Sequence, residues 1–327
     1  MINLNYLNMR LKTIMKLSSQ MMTTLSICLN DFLFLMKNSY NYHVNTRDKM
    51  MATIMLGMHS IEKGMSFTIK KKNWGREKAY NLCKHIEKAI NLYGEDARLQ
   101  IAMSVLNSYT KDSHSCKDQE LLKSITALLN KHYKLNVNAG VKEIVRPYFT
   151  ASTDEILDFY RTRTSVRYFS KCPINDEELA KVEMLLSYTP TACNRQACKT
   201  YAFRGDICKE IIANQLGDQG WCMNADMVFV VTANGSYFNS TFESKEAYID
   251  GGMYAMNLCM GLHMLKIGSC FKMFVRTPKI EKEFKKICKL QENEIPIVLL
   301  LAGHYDEDHK NMQPVSVRLQ SIIEKRN

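Results

Sequence analysis

The sequence predicts an α+β protein with an all-helical N-terminal region and a C-terminal region in which helices flank a β-sheet. Apolar residues in the N-terminal half recur at three- and four-residue steps, the spacing of amphipathic helices. The C-terminal half contains short, nearly continuous apolar runs, the pattern of strands covered on both faces. All six prolines lie at position 147 or later. We therefore divide the chain into a helical region, residues 1–150, and a second domain, residues 151–327.

Composition narrows the class of protein. The chain of 327 residues, 46% hydrophobic and 24% charged, has the balance of an ordinary globular protein with one or two domains. A net charge of +11 favours anionic partners such as phosphate-bearing cofactors. The eleven cysteines show no C-x-x-C pair, so we expect reduced thiols in the cytoplasm.

The first segment of the chain is apolar only in places. Lys12, Lys16 and Asp31 interrupt residues 11–36 before the run reaches the ~20 apolar residues that a membrane-spanning helix requires. The segment also lacks the compact apolar core and cleavage site of a secretory signal. We expect no membrane partner.

The rest of the helical region contains two amphipathic stripes, in residues 77–93 and 121–133. Before them, His59, Glu62 and Lys63 precede Gly64, which we interpret as a helix C-cap rather than as part of a functional site. The basic run 70–76 is typical of a solvated loop, and we expect no nucleic-acid partner.

Three helix starts and three strands organise the second domain. The helix starts are Ser152 with Glu155, Asn175 with Glu178, and Thr277 with Pro278. The predicted strands are residues 200–203, 227–232 and 295–301. Residues 247–265 form a longer helix that is apolar almost all round, which predicts deep burial or a subunit interface.

Two segments of this domain carry groups that could bind a cofactor. Residues 161–169 hold three arginines and several hydroxyls, which suit one terminal phosphate, although a solvated basic turn is equally consistent. Residues 189–196 include Asn194 and Gln196, whose side chains carry the donors and acceptors that read the imide edge of a heterocycle. Taken alone, this segment could also be a turn held by local hydrogen bonds.

Two further features follow along the chain. A segment running from Gly268 to Lys272, which we interpret as a loop, follows the long helix. Its glycine would let backbone amides approach a flat ring, although a simple helix cap is the usual role. Arg318 lies near the C-terminus.

In this order the four features resemble the nitroreductase family. The family pattern has an R-x-S-x-R segment, a P-S-x-x-N-x-Q turn, a long buried helix ending in a G-S-C type loop, and a basic residue near the C-terminus. The resemblance covers residues 155–320, and the chain looks like a longer form with an N-terminal helical extension. It implies a nitroreductase-like fold with a central, mostly antiparallel sheet.

The resemblance also implies a binding site for FMN. Arg163, Ser165 and Arg167 would meet the phosphate and ribityl chain, Thr164 would add backbone contacts, and Arg318 would close the phosphate site. Thr191, Asn194 and Gln196 would face the flavin. The remaining contacts would come from the other side of the ring, from Asp250 and the loop containing Gly268, Ser269 and Lys272.

Two departures from the family pattern affect the substrate pocket more than the FMN site. The family's Q-P-W is Gln196-Ala197-Cys198 here, and Thr191 replaces the serine of P-S.

The function implied is an FMN-dependent oxidoreductase. NADH or NADPH would donate electrons, and a nitroaromatic, a quinone or another small organic molecule would accept them. A homodimer is expected, with FMN between the subunits. We nominate no catalytic acid or base, because the cofactor performs the difficult step, and no metal site. The alternative is a non-catalytic flavin-binding or scaffold protein linked to surface polysaccharide synthesis.

Overall fold

The computed structural model describes residues 4–134, 138–145, 148–215, 224–306, 323, 324 and 326, with side chains from residue 12 onward. As predicted, the N-terminal region consists of helices in the part that is described. They are α1 (Leu4–Asn38), α2 (Arg47–Ser66), α3 (Arg76–Tyr93), α4 (Ala97–Lys111) and α5 (Gln119–His132).

Both predicted amphipathic stripes are confirmed, because α3 and α5 bury their apolar residues in one core. The interpretation of Gly64 as a C-cap is wrong. Helix α2 continues through Gly64 to Ser66. A Cβ atom at Gly64 would lie 2.3 Å from Cζ3 of Trp74, so the glycine admits the Trp74 ring against the helix.

The second domain contains five helices and a four-stranded sheet within the described residues. The helices are α6 (Thr153–Thr162), α7 (Asp176–Leu186), α8 (Asp206–Asn214), α9 (Glu246–Met264) and α10 (Pro278–Ile287). The strands are β1 (Cys198–Arg204), β2 (Met227–Asn234), β3 (Ile267–Lys272) and β4 (Glu294–His304). The strand order is β1-β2-β4-β3 and every neighbouring pair is antiparallel. The predicted α+β class with an antiparallel sheet is confirmed.

The three predicted helix starts are also confirmed. Ser152 with Glu155, and Asn175 with Glu178, each form a capping box in which side chain and backbone satisfy each other's free groups. Thr277 accepts a hydrogen bond from the amide of Ile280, directly before the proline at the first turn of α10.

Helices cover both faces of the sheet. Helices α8 and α10 pack on one face against Val228, Val230 and Leu301, and helices α7 and α9 pack on the other. Strands β2 and β4 in the middle are therefore buried on both sides, which accounts for their continuous apolar runs.

The helical region shares a core with the second domain. One apolar cluster joins helices α2 to α5 to Ala197, Phe238 and Ile295. The side-chain amides of Asn234 and Asn293 also donate to Asp48 of α2, at 2.8 and 2.9 Å. The division near residue 150 stays a prediction, and the two regions are packed as one body.

Helix α1 leaves most of its apolar side chains exposed. At about 1.5 Å per residue its 35 residues extend about 52 Å. Asp31, Phe34 and Lys37, near its C-terminal end, contact the body. Toward its N-terminus, Ile14, Met21 and Leu25 are 61%, 72% and 63% exposed. Among the described helices, none is long and apolar enough to cross a membrane.

Helix α9 is buried on one side only, so the prediction of burial all round is partly wrong. Asp250, Leu258 and Leu262 face the interior. Ile249, Met253, Met256 and Met264 are 39–53% exposed on the other side. A Cβ atom at Gly252 would meet no atom within 4 Å. The helix therefore presents an open apolar face, formed by Ile249, Gly252, Met253 and Met256.

Candidate functional site

The basic segment runs beside strand β3. Ser165 forms a parallel bridge with Ser269, and the amide of Val166 donates to the carbonyl of Ser269 at 2.9 Å. A Cβ atom at Gly268 would lie 2.9 Å from Cγ1 of Val166, so only a glycine allows this approach without a shift. The predicted loop at residues 268–272 is therefore wrong: these residues form a strand, because they pair with β4 on one edge and receive the basic segment on the other.

Two arginine side chains lie near Cys270, which is in the middle of this strand. Burial raises the pKa of the Cys270 thiol, while Arg167 and Arg163 act in the opposite direction, which places both guanidinium groups near the sulfur. Because side chains alternate along a strand, Lys272 lies on the same face as Cys270. Arg163, Arg167 and Lys272 thus form a group of cationic side chains on or beside β3.

Lys272 is the unusual member of this group. It is 6% exposed, and its Nζ atom has no hydrogen-bond partner among the described residues. An unpaired buried ammonium is costly, because the charge loses its hydration without gaining a counter-charge. The site therefore has the electrostatics of an anion-binding site. Arg318, the other predicted basic residue, lies outside the described residues.

The second predicted group, Thr191, Asn194 and Gln196, occupies a tight turn between α7 and β1. Cys193, Asn194 and Gln196 all have positive φ angles, of 51–52°. Such φ angles are uncommon for residues other than glycine, and they cluster at functional sites. The amide of Gln196 donates to Oγ1 of Thr191 at 3.0 Å, and Nε2 of Gln196 lies 3.3 Å from Oδ1 of Asn194.

Arg195 holds this turn in place. Its side chain is fully buried and donates to both carboxylate oxygens of Glu243 at 2.7 Å. The same guanidinium donates to the carbonyls of Ala192 and Tyr237, at 3.0 and 2.7 Å. The sequence predicts no role for Arg195, because no local pattern indicates a partner as distant along the chain as Glu243.

Asp250 is a second support of the turn. Both of its carboxylate oxygens lie 3.1 Å from the amide nitrogen of Ala192, and burial raises the pKa of the carboxyl. The carboxylate of Asp250 therefore holds the turn, and its expected contact with the flavin, together with residues 268–272, stays a prediction.

The predicted site residues thus form two separate groups in one chain. The turn contacts α9 at Asp250, near its first turn, whereas Nε2 of His263, in its last turn, lies 3.1 Å from Oγ1 of Thr162, next to the basic segment. At about 1.5 Å per residue, these two points on α9 are about 20 Å apart. Arg163, Thr164, Ser165, Arg167, Gly268, Ser269 and Lys272 form the β3 group; Thr191, Asn194, Gln196 and Asp250 form the turn group.

A cavity of about 380 Å³ adjoins the turn group. It lies between α7, α9 and the edge strand β1, and Thr191, Gln196 and Lys199 contribute its polar lining. Its volume is within the range of small-molecule sites, which is roughly 300–1,000 Å³.

Comparison with known proteins finds a family match for part of this region. Residues 160–216 match the model of the nitroreductase family. This stretch is similar to that family. It includes the R-x-S-x-R segment and the turn at Thr191, so the resemblance inferred from the residues is confirmed there.

The solved structures to which this chain is similar include nitroreductases. A nitroreductase family protein from Clostridium novyi is 20% identical, with a TM-score of 0.42, over 47% of this chain and 87% of its own. An FMN-dependent nitroreductase from Clostridium difficile is 16% identical, with a TM-score of 0.41, over 51% and 99%. A nitroreductase-type protein from Desulfovibrio desulfuricans, in complex with FMN, is 16% identical, with a TM-score of 0.42, over 53% and 100%. No curated protein sequence matches the chain.

Proposed function

We propose that this protein is an FMN-dependent oxidoreductase that works as a homodimer in the cytoplasm. It takes electrons from NADH or NADPH and reduces a nitroaromatic, a quinone or another small organic acceptor. The observation that carries the proposal is the buried ammonium of Lys272, which has no hydrogen-bond partner among the described residues. It lies on the same face of β3 as Cys270, whose thiol is near Arg163, Ser165 and Arg167.

The residues around β3 fit the phosphate end of FMN. Guanidinium groups bind phosphate through paired hydrogen bonds, and the Ser165 hydroxyl adds a donor without adding a charge. A phosphate would supply the counter-charge that Lys272 requires. The close packing of Gly268 on Val166 holds the basic segment against the strand. Thr164 and Ser269 complete this end of the site, and Arg318 is proposed to join it.

The residues of the turn fit the ring end of the cofactor. Asn194 and Gln196 carry both donors and acceptors, and both side chains are exposed. Hydrogen bonds of Arg195 and Asp250 fix the backbone of the turn, so the side chains of Asn194 and Gln196 are carried by a rigid backbone. Preorganised polar groups stabilise a developing charge without reorganising at the moment of reaction.

The separation of the two groups supports a dimer. They lie about 20 Å apart along α9 in one chain, and the open apolar face of α9 lies on the helix that joins them. We propose that this face contacts the same face of a partner subunit, so that the β3 group of one subunit and the turn group of the other bind one FMN. Apolar patches of this kind mark interaction sites.

When bound, FMN supplies hydride and electron transfer. The chain's own contribution is to bind the phosphate, to orient the ring and to place positive charge nearby. No side chain is required as a general acid or base. The cysteines in the described part of the chain are all free thiols, which agrees with a reducing compartment.

The first experiment is the visible absorbance of the purified protein. We expect flavin bands that bleach when NADH or NADPH is added without oxygen and recover when nitrobenzene or menadione is added. A colourless protein that does not take up FMN would refute the proposed cofactor. A yellow protein that neither nicotinamide reduces would refute the proposed reaction.

A matched pair of variants tests the phosphate site. Lys272→Met removes the buried charge and keeps the side-chain length, whereas Lys266→Met makes the same change at an exposed position six residues earlier. A hydrogen bond to a charged group contributes roughly 1.5–3 kcal/mol, so we expect FMN affinity to fall by about 10- to 150-fold in Lys272→Met only. Equal affinities in the two variants would contradict the assignment.

A further inference from the structure

A second cavity also adjoins the turn, at Cys193. Its volume is about 310 Å³, and it is formed where α2 and α3 meet the turn. It is lined by Leu56, His59, Lys63, Phe67, Lys78 and Cys193, among others. The helical region that precedes the family-like segment therefore supplies most of its wall.

The charges in this cavity have one sign. Lys63 and Lys78 are exposed residues that line it, and among the described residues neither ammonium group has an ion-pair or hydrogen-bond partner. No carboxylate is among the described residues that line the cavity. Leu56 and Phe67 add an apolar surface. Two unpaired ammonium groups beside apolar side chains suit a small anion with an apolar body.

Glu62 orients the imidazole ring of His59. Nδ1 of His59 lies 3.4 Å from a carboxylate oxygen of Glu62, on the same face of α2. Burial raises the pKa of the Glu62 carboxyl, so the carboxyl is held in a poorly solvated position against the helix. With Nδ1 facing Glu62, Nε2 of His59 is the ring nitrogen available to a ligand.

Cys193 connects the cavity to the turn group. It directly precedes Asn194, which the proposed function assigns to the flavin together with Gln196, and its own φ angle is 51°. A molecule in the cavity would therefore contact the backbone segment that carries both flavin-facing side chains. This connection rests on the proposed function; the cavity and its charges do not.

We infer that the cavity between α2, α3 and the turn binds a small anionic molecule with an apolar body, such as an aromatic carboxylate, through Lys63, Lys78 and His59. The molecule is either the acceptor itself or a separate ligand that acts on the flavin site through the turn. The acceptor and the separate ligand would have the same chemistry, and inhibition kinetics distinguishes them.

The direct test measures alkylation of Cys193 by neutral iodoacetamide, followed by peptide mass spectrometry. The probes are 4-nitrobenzoate, which is an anion, and 4-nitrobenzamide, its neutral counterpart of similar shape. We expect 4-nitrobenzoate to protect Cys193 at a concentration about two- to fivefold lower than 4-nitrobenzamide, since an exposed charge pair contributes up to about fivefold. The exposed Cys172 in the same sample serves as the unprotected reference.

Two double variants complete the test. Lys63→Gln with Lys78→Gln is expected to remove the preference for the anion. Lys88→Gln with Lys123→Gln makes the same change in net charge at exposed positions outside the cavity and is expected to leave the preference intact. Equal protection by both probes, no protection, or the same effect in both double variants would overturn the inference.

The alkylation test does not require the flavin, so its outcome is separate from that of the proposed function. If the protein takes up no FMN, the proposed function fails while protection of Cys193 still decides whether the anion binds. In the active holoenzyme, benzoate serves as an anion that is not reduced. Competitive inhibition of 4-nitrobenzamide reduction by benzoate identifies the cavity as the acceptor site, and non-competitive inhibition identifies a separate ligand site.

Discussion

The buried ion pair between Arg195 and Glu243 supports the turn, and it predicts the effect of the substitution Glu243→Gln. The change keeps the shape of the side chain but leaves the fully buried guanidinium of Arg195 without a counter-charge. Breaking a buried ion pair by removing one partner costs roughly 3–5 kcal/mol. We expect about 3 kcal/mol, the lower end of that range, because Glu243 is 22% exposed and Arg195 keeps its bonds to two carbonyl oxygens.

The measurement is urea unfolding followed by circular dichroism. Glu243→Gln should shift the midpoint downward with an unchanged slope, which indicates lost stability rather than a change in the denatured state. The control is Glu283→Gln, the same substitution at an exposed position of α10. It should change the free energy of unfolding by less than about 0.5 kcal/mol.

A double-mutant cycle then tests whether the cost arises from the pair itself. Arg195→Met removes the buried cation, so adding Glu243→Gln to it should cost far less than Glu243→Gln costs alone. Additive losses of free energy, or a Glu243→Gln protein as stable as Glu283→Gln, would refute the view that this pair holds the turn.

Three further predictions follow from single contacts. Gly268→Ala should push Val166 and the basic segment away from β3, at a cost of roughly 1–3 kcal/mol in unfolding free energy, and should weaken FMN binding; titration of the apoprotein checks this. Met256→Glu should give a monomer in sedimentation experiments, because it places an unpaired charge in the proposed dimer face, whereas Ile69→Glu, at a position 91% exposed, should not. Burial raises the pKa of Asp250 above its ordinary value of 3.8, so the native state holds this proton more tightly than the unfolded state does. Asp250 therefore lowers stability as the pH rises above 3.8, and Asp250→Asn should flatten the fall in unfolding free energy measured across that range; an unchanged slope would contradict this.

The elements predicted correctly are those whose signals are local. Capping residues such as Ser152 and Asn175 bond to amides three residues away, so the sequence alone is sufficient to locate the helix starts. The central strands were recognisable because burial on both faces leaves a continuous apolar run.

The errors concern contacts between distant segments. The resemblance implies a loop at residues 268–272, whereas these residues form strand β3, because they pair with β4 and with the basic segment. The hydrogen bond that Asp250 accepts from the amide of Ala192 joins residues 58 positions apart, so no local pattern predicts it. The role of Arg195 is not predictable from local sequence, because its partner Glu243 lies 48 residues away along the chain.

The apolar cluster that joins helices α2 to α5 to Ala197, Phe238 and Ile295 bears on how the chain folds and on how it could be shortened. Removing the first 150 residues would expose the turn to solvent. It would also remove Asp48, whose carboxylate accepts hydrogen bonds from Asn234 and Asn293. The leading helices therefore complete a core that they share with the second domain, and a truncated chain that begins at the family-like segment is expected to expose this apolar surface and to aggregate.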